Sequence, residues 1–325
     1  MEKTNNNKDK NKNVTDFECR NMIDKNENHH ESRVTGNEDK AAKGSKKRQI
    51  VLDILIVVFT LIAVSAGAYI INYYYKSRKT EARFDDLRNM IVEVQDDRVG
   101  NIEAGDSSNA ENGSENTKRT DLVDIDGRDV LIKYQKLYKA NTDFMGWLKI
   151  DGTDIDYPVM YTPDEREYYL HKNFDREYSY AGCLFIDNLC IPTGDDISDN
   201  IIIYGHNMKS GTMFHQLTLY RDESFYRDHK YISFDTLEDT GTYEVIAAFK
   251  TQVYEKGDTE HYHYYDFHDA ADEEEFNEFI QYIRSCCTYD FDSTANYGDK
   301  LITLSTCSYH VNDGRYVVVA KKISN

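Results

Sequence analysis

The feature that most constrains this chain is a long apolar run, Ile50 to Ile71, which reads IVLDILIVVFTLIAVSAGAYII. As a helix with a rise of about 1.5 Å per residue, the run would extend roughly 33 Å, enough to cross the hydrocarbon core of a bilayer. Its single charge, Asp53, would lie in the first helical turn, where water at the membrane surface can reach it. The run therefore predicts a membrane-spanning anchor over residues 50–72.

A cleaved signal peptide is the alternative explanation for this run. The stretch VSAGA, Val64 to Ala68, has small residues at the spacing that signal peptidases accept. However, the polar segment before the run, residues 1–49, is far longer than an ordinary signal-peptide n-region, and apolar residues continue beyond the alanines. We therefore favour an uncleaved anchor.

Charges next to the run predict its orientation. Residues 1–49 carry 12 Lys/Arg against 9 Asp/Glu, and KGSKKR, Lys43 to Arg48, lies directly before the run. Because loops rich in Lys and Arg stay in the cytoplasm, the N-terminus is expected there and the C-terminal part outside. The chain is thus predicted to be a single-pass protein of the cell membrane with an extracellular domain.

The predicted extracellular part is strongly acidic. From Tyr73 onward the chain has 27 of its 39 Lys/Arg and 48 of its 58 Asp/Glu, a net charge of about −21. Such a surface repels polyanions, so we expect no nucleic-acid partner. This part also has an odd number of cysteines, which leaves at least one thiol outside any intramolecular disulfide and leaves the pairing of the others open. These cysteines are Cys183, Cys190, Cys286, Cys287 and Cys307.

Composition divides the chain into four parts. Residues 1–49 have too few apolar residues to offset chain entropy and are predicted to be a disordered cytoplasmic tail. After the anchor, residues 73–123 are predicted to form a juxtamembrane helix and a flexible linker, whose Gly/Ser/Asn-rich part is Gly100 to Thr120. A folded domain is expected over residues 124–325.

Periodicity in this domain predicts mostly strands. Val130 to Tyr138 has apolar residues at helical spacing, which predicts an N-terminal helix. A second helix is predicted within DEEEFNEFIQYIRSCC, between the sixth and seventh strands. Few other helices are expected, and a barrel or a sandwich is favoured. The eight strand-like runs are Trp147–Ile150, Ile155–Tyr161, Gly182–Asp187, Asn200–Gly205, Lys230–Asp235, Thr242–Tyr254, Lys300–Cys307 and Arg315–Ile323.

The last two runs place a thiol near a guanidinium. A strand that ends at Cys307 and a strand that begins at Arg315 would form a hairpin with both side chains at one rim of the sheet. A nearby positive charge favours the thiolate, the nucleophilic form, of which only about 3% is present at pH 7 for an ordinary thiol. The alternative is that Cys307 is a small buried residue and Arg315 lies on an ordinary surface.

A cysteine nucleophile also requires a base, and one of the chain's ten histidines would supply it. His206 follows the apolar run in NIIIYGHN, a typical position for the rim of a sheet. His310 lies near Cys307 in sequence, which does not establish that their side chains meet. The segment HYHYYDFH, His261 to His268, has three histidines, but their spacing matches no standard zinc pattern, so we predict no metal site.

Taken together, these motifs resemble the sortases, the cysteine transpeptidases of Gram-positive cell surfaces. TLSTC with Arg315, YGHNM about a hundred residues upstream, and an N-terminal anchor carry the resemblance. Further segments are similar to class B sortases in particular, over roughly residues 128–322. These segments are GWLKIDGTDIDYPV, YYLHKNF, MFHQLTLY and the inserted helix.

The resemblance implies an eight-stranded closed β-barrel with appended helices, and it assigns roles to residues. Cys307 would be the nucleophile, His206 the general acid and base, and Arg315 the electrostatic stabiliser. Ser305 and Thr306 would assist at the substrate or oxyanion site. No cofactor is implied.

The implied reaction cleaves a C-terminal sorting signal of a secreted protein, holds the product as a thioester on the cysteine, and transfers it to a peptidoglycan amine. Class B signals are either NP-x-T-N-like or P-x-T-G-like. Three alternatives stay open on the sequence: a sortase that polymerises pilins, a thiol peptidase in which water resolves the thioester, and an anchored adhesion module without activity.

Overall fold

The computed structural model of this protein describes residues 20–91 and 121–324. The predicted linker Gly100–Thr120 and the first part of the predicted tail, residues 1–19, lie outside the described residues. The described chain divides into two compact units, with the boundary between Tyr73 and Tyr74.

The first unit contains most of a single helix, α1, which spans Arg20–Met90. The apolar run Ile50–Ile71 is helical throughout and its large side chains are exposed, as at Phe59 and Leu61. A helix that is apolar on all sides and unburied is typical of a membrane span. In the described part of the chain, one helix is long and apolar enough to cross a membrane, judged by length and composition, and it includes this run.

The helix begins earlier than the composition indicated. The sequence predicted no regular structure over residues 1–49, whereas α1 starts at Arg20. Composition excludes a packed core in this segment, but it does not exclude a helix. Because helix formation is limited by nucleation, a segment that continues an existing helix can extend it without burying an apolar face.

The last turns of α1 belong to the second unit and pack into its core. Phe84 and Leu87 are fully buried there. Arg83 forms a two-pronged ion pair with Asp175, at 2.6 and 2.8 Å. The folded domain therefore includes these turns, although the sequence placed its start near residue 124. Two apolar residues in a charged segment form too short a stripe to detect by periodicity.

A β-hairpin precedes the predicted N-terminal helix, and its second strand includes the first two residues of the predicted stretch, Val130 and Leu131. Strands β1, Leu122–Ile125, and β2, Arg128–Leu131, pair in antiparallel orientation. Asp126 and Gly127 between them both have positive φ, the geometry of a tight hairpin turn, and an Asp-Gly pair favours it. The predicted helix is present from Ile132 onward, as a 3₁₀ turn over Ile132–Tyr134 and helix α2, Gln135–Ala140.

The rest of the domain confirms the predicted mainly-β fold with eight strands. Each strand hydrogen-bonds to two neighbours, and the order β10-β8-β7-β3-β4-β5-β6-β9 closes on itself where β9 meets β10. The pairs β4–β5 and β6–β9 are parallel and the others antiparallel. The strands are β3 (Phe144–Lys149), β4 (Asp156–Met160), β5 (Leu184–Ile186), β6 (Asn200–Tyr204), β7 (Tyr231–Thr236), β8 (Thr242–Gln252), β9 (Leu301–Cys307) and β10 (Gly314–Ser324).

Two α-helices, and 3₁₀ helices over Tyr168–His171, Phe214–Arg221 and Tyr264–Asp266, are inserted between the barrel strands. Helix α3, Glu223–Asp228, precedes β7, and helix α4, Glu273–Ser285, lies between β8 and β9, the sixth and seventh barrel strands. The N-cap residue of α4, Asp272, accepts a hydrogen bond from the Glu275 backbone amide at 3.0 Å. Its apolar face packs against β8 and β10 in a core that includes Phe276, Phe279, Ile280, Ile283, Phe249, Val317 and Val319. Strands β8 and β10 are thus buried on both faces, which explains their nearly continuous apolar sequence.

Candidate functional site

One cavity of about 720 Å³ opens at the end of the barrel where β6 and β9 terminate and β10 begins. All five site residues predicted from the sequence line it, namely Ser305, Thr306, Cys307, His206 and Arg315. They come from three different strand ends. Arg166, Glu167, Leu170 and residues 253–257 and 263–266 form much of the remaining wall.

Strand register places the thiol next to the guanidinium. Cys307 is the last residue of β9 and lies directly opposite Arg315 in the antiparallel ladder with β10. Directly opposed residues point to the same face of a sheet, with Cβ atoms about 5 Å apart. The predicted hairpin with both side chains at one rim is therefore present.

Parallel pairing brings the histidine to the same end. Strand β6 runs parallel to β9, and its last residue, Tyr204, pairs with Ser305. The Gly205 amide then donates to the Ser305 carbonyl at 3.2 Å. A Cβ atom at Gly205 would lie 2.4 Å from a Leu184 methyl group and 2.7 Å from the fully buried Phe214 ring, so a larger residue would displace that ring. This close passage delivers His206 to the cavity beside the end of β9.

The His206 ring is fixed by a hydrogen bond and by neighbouring rings. Its Nε2 lies 2.9 Å from the Leu170 carbonyl oxygen, which can only accept, so Nε2 carries a proton and Nδ1 has the free lone pair of the neutral ring. The His171 ring stacks on it at 5.2 Å, and Tyr180 lies parallel at 6.5 Å. Burial lowers the pKa of His206; the bond to Leu170 opposes this shift, and the nearby His171 adds to it.

Arg315 keeps its charge available to the cavity. Its NH1 group donates to the backbone carbonyls of Asp313 and Gly314, at 3.2 and 3.1 Å. No carboxylate of residues 20–91 or 121–324 forms an ion pair with it. Because the guanidinium is half-buried and has several further N–H donors, it can bind a carbonyl oxygen or an oxyanion in the cavity.

Ser305 and Thr306 line the cavity, but their hydroxyl groups are engaged within the protein. Both residues are 1% exposed. The Ser305 Oγ is 2.8 Å from the Tyr264 hydroxyl, and the Thr306 hydroxyl donates to the Gly205 carbonyl at 2.7 Å. Burial raises the pKa of Tyr264 to about 12, so this partner stays protonated. The Thr306 bond ties β9 to the turn that carries His206.

The three histidines of HYHYYDFH do not all meet at one site: His261 and His263 both contact Asp258, at 3.1 and 3.6 Å, whereas His268 contacts Asp187 at 3.6 Å. His263 lines the cavity and pairs with Asp266 at 3.2 Å, His261 stacks on Tyr254 at 4.1 Å, and His268 lies deeper in the fold. Among the described residues, no group of three or more His, Cys, Asp or Glu could hold a metal ion. His310, the alternative base, is exposed, bonds to Ser308 and does not line the cavity.

The five cysteines beyond the apolar run all have free thiols. Burial raises the pKa of the Cys190 thiol to about 12 and that of Cys287 to about 11. It raises the pKa of Cys183 even further. These three thiols therefore stay protonated and unreactive at neutral pH, whereas Cys307 is half-buried in the wall of the cavity.

Sequence reasoning missed the contacts that hold these side chains in place. The Leu170 carbonyl that fixes His206 is 36 residues away, and the Asn207 amide that bonds to the Cys307 carbonyl is 100 residues from it. For the Asn207 contact, the sequence did offer a signal, because Asn207 directly follows His206 in YGHNM. A backbone carbonyl such as that of Leu170 has no sequence signature.

Comparisons with known proteins agree with this geometry. A family model described as Sortase domain matches residues 148–323, a range that contains all five predicted site residues. Sortase B of Listeria monocytogenes is 33% identical over 210 residues, which cover 64% of this chain and 80% of that protein. Sortase B of Staphylococcus aureus is 32% identical over 59% of this chain and 75% of that protein. A solved Staphylococcus aureus sortase B–substrate complex is 31% identical with a TM-score of 0.53, over 60% of this chain and 86% of that one.

Proposed function

Since the chain belongs to the sortase family and to its class B, we propose that it transfers secreted proteins to the cell wall through a thioester on Cys307. Because it belongs to this family, the chain is a cysteine transpeptidase of cell-wall sorting. The observation that carries the residue assignment is that Cys307, His206 and Arg315, from three strand ends, line one cavity.

In the proposed first half-reaction, the Cys307 thiolate attacks the scissile carbonyl carbon of a C-terminal sorting signal. The oxyanion that forms is stabilised by the Arg315 guanidinium, whose charge-assisted hydrogen bonds are strong in a cavity with restricted water. As the C–N bond breaks, protonated His206 gives its proton to the leaving amine. Because burial lowers the pKa of His206, this proton is held weakly and is readily transferred.

In the second half-reaction, an amine attacks the thioester carbon. Neutral His206 takes the proton of the attacking amine, and Cys307 leaves as the thiolate. The imidazolium and thiolate present at the start are thereby restored. The thioester keeps the acyl group activated, so the transfer requires no further energy source and no cofactor.

We propose that the amine belongs to a peptidoglycan precursor or stem peptide, and that α1 anchors the enzyme in the cell membrane. The unburied apolar helix over residues 50–71 supports anchoring. The basic segment Lys43 to Arg48 supports a cytoplasmic N-terminus and an extracellular catalytic domain.

A product assay tests this function. The wild-type enzyme is incubated with NP-x-T-N-like and P-x-T-G-like peptides, with and without an amine acceptor, and the products are identified by mass spectrometry. We expect acceptor-linked product from at least one peptide, none from Cys307→Ala, and a large loss with His206→Ala.

His310→Ala is the matched control for the base and should retain activity, because His310 lies outside the cavity. Ligation by Cys307→Ala would disprove the assignment. If the peptide is only hydrolysed, and adding the amine acceptor yields no acceptor-linked product, the enzyme is instead a thiol peptidase.

A further inference from the structure

The Asn207 side chain links the segment that carries His206 to the strand that carries Cys307. Its Nδ2 donates to the Cys307 carbonyl oxygen at 2.9 Å, and its Oδ1 lies 2.7 Å from Nδ1 of His215. Both residues are half-buried, and neither lines the cavity described above. Any effect of theirs on the reaction must therefore pass through other residues.

The chemistry of the partners determines the direction of both bonds. The Cys307 carbonyl can only accept, so the amide nitrogen of Asn207 must face it and the amide oxygen must face His215. That oxygen can only accept in turn, so Nδ1 of His215 carries a proton. His215 thus holds the carboxamide in the one orientation that can donate to Cys307.

This bond lies beyond the end of regular strand pairing. The last pair between β6 and β9 is Tyr204 with Ser305, and the Gly205 amide makes the next backbone bond. Two residues further on, Asn207 bonds to Cys307 through its side chain, and its carbonyl accepts a hydrogen bond from the Tyr309 hydroxyl at 3.4 Å. The Asn207 contacts therefore continue the connection between the two segments past the point where the sheet ends.

The His206 side of this connection is itself braced. The Phe214 amide donates to the His206 carbonyl at 2.9 Å, and Asn207 forms an isolated antiparallel bridge with Met213. His215 follows directly in the same braced segment. A shift of the end of β9 would move the Cys307 carbonyl together with its Cα and thiol, and the bond from Asn207 to that carbonyl opposes the shift.

We propose that Asn207, oriented by His215, is a positioning residue that keeps the Cys307 thiol aligned with His206 and the bound substrate. This inference rests on the proposed transfer reaction and adds two residues to it. Misplacement of a reacting group by about 1 Å can lower a rate by about 100-fold, so a single well-placed hydrogen bond can matter here.

The experiment compares four variants with the wild type in steady-state kinetics of the transfer reaction on a sorting-signal peptide: Asn207→Ala, His215→Ala, His215→Asn and the double variant Asn207→Ala/His215→Ala. We expect Asn207→Ala to lower kcat by about 10- to 100-fold with KM changed less than about threefold, because alignment rather than binding is lost. His215→Ala should cause a smaller loss of kcat. His215→Asn should restore most of it, since its amide nitrogen can donate in place of Nδ1.

Two further measurements separate alignment from general damage. If His215 acts through Asn207, the double variant should be no slower than Asn207→Ala alone. The rate at which iodoacetamide alkylates Cys307, measured at a pH where the thiol is ionised, should be unchanged in every variant, since that reaction needs no His206. Ser210→Ala, in the same segment but bonded only to Thr212, is the matched control and should behave as the wild type.

The inference is overturned if Asn207→Ala keeps kcat within about twofold of the wild type, or if the loss appears in KM alone. It is also overturned if His215→Asn is as slow as His215→Ala. Should Asn207→Ala fail to fold, as judged by its Tm, the two His215 variants decide. Cys307→Ala is measured in parallel. Turnover by that variant would refute the proposed function and this inference with it. If Cys307→Ala is inactive but Asn207→Ala has normal activity, only the positioning role is refuted.

Discussion

At the scale of single residues, the protonation of His206 depends on what surrounds its ring. Burial lowers its pKa, the Leu170 carbonyl opposes that shift, and His171 favours it. With a lowered pKa, the imidazolium becomes less abundant as pH rises, while a thiolate becomes more abundant. Since the proposed reaction starts from both charged forms, kcat/KM is expected to pass through a maximum with pH.

His171→Ala should raise the pKa of His206 toward its ordinary value. The His171 ring shields His206 from water, and its positive charge disfavours protonation of His206. The substitution removes both effects. NMR titration of the imidazole proton shifts measures this directly. His310→Ala, a change at an exposed histidine, should leave the pKa of His206 unchanged. A fall in the pKa of His206 on His171→Ala would contradict the prediction.

Arg315→Lys should lower kcat/KM by about 100-fold or more, although the charge is retained. An ammonium lacks the planar fork that can donate two parallel hydrogen bonds to the substrate or the oxyanion. Steady-state kinetics on a sorting-signal peptide measures the loss. Arg227→Lys, in an exposed helical ion pair with Glu223, is the matched control. Equal losses in the two variants would mean that the fork geometry at Arg315 is unimportant.

At the scale of elements, helix α4 supports one wall of the cavity as well as the barrel. Phe279 on this helix stacks on Phe267 at 4.1 Å, and Phe267 directly follows the cavity-lining residues Tyr264 to Asp266. The same helix face packs against β8 and β10. The core under α4 is therefore continuous with the structure that shapes the site.

Phe279→Ala should lower the free energy of unfolding by about 3–5 kcal/mol, because it leaves a cavity at a fully buried aromatic position. Urea unfolding measures the change. Asn277→Ala, on the exposed face of the same helix, should change the free energy by no more than about 0.5 kcal/mol. A similar small effect of Phe279→Ala would mean that α4 contributes little to the stability of the domain.

At the scale of the whole molecule, the folded domain includes the last turns of α1. The end of α1 contributes Phe84 and Leu87 to the core, and Arg88 pairs with Asp156 at 2.7 Å. The sequence placed these turns in a juxtamembrane segment apart from the domain. The folded domain thus begins within α1 rather than at residue 124.

A chain that begins at Tyr74 should therefore be more stable than one that begins at Asp121. Loss of two fully buried side chains, Phe84 and Leu87, is expected to cost about 5 kcal/mol or more. Thermal and urea unfolding of the two truncated proteins measure the difference. In a matched comparison, Phe84→Ala and Leu87→Ala in the longer chain should reproduce much of it. Equal stability of the two truncated proteins would show that these turns do not support the domain.

The local pattern of apolar and polar residues was sufficient to predict the eight barrel strands and helix α4. Their apolar residues recur at strand or helix spacing, and each predicted strand overlaps an observed one. Pattern was misleading at Val130 and Leu131, because helical spacing of apolar residues competed with an Asp-Gly turn that stabilises a hairpin. Short elements are decided by such turns and by tertiary pairing rather than by periodicity.

The sequence by itself determined the long apolar helical run, the strand content and the motif residues Cys307, His206 and Arg315, because each depends on residue type and short-range spacing. Only the tertiary structure decided that β6 runs beside β9, so that His206 and Cys307 reach one cavity. It also decided which groups hold them: the Leu170 carbonyl, and Asn207 with His215. These contacts join residues far apart in the chain through ordinary polar groups, which acquire a role only when the fold brings them together.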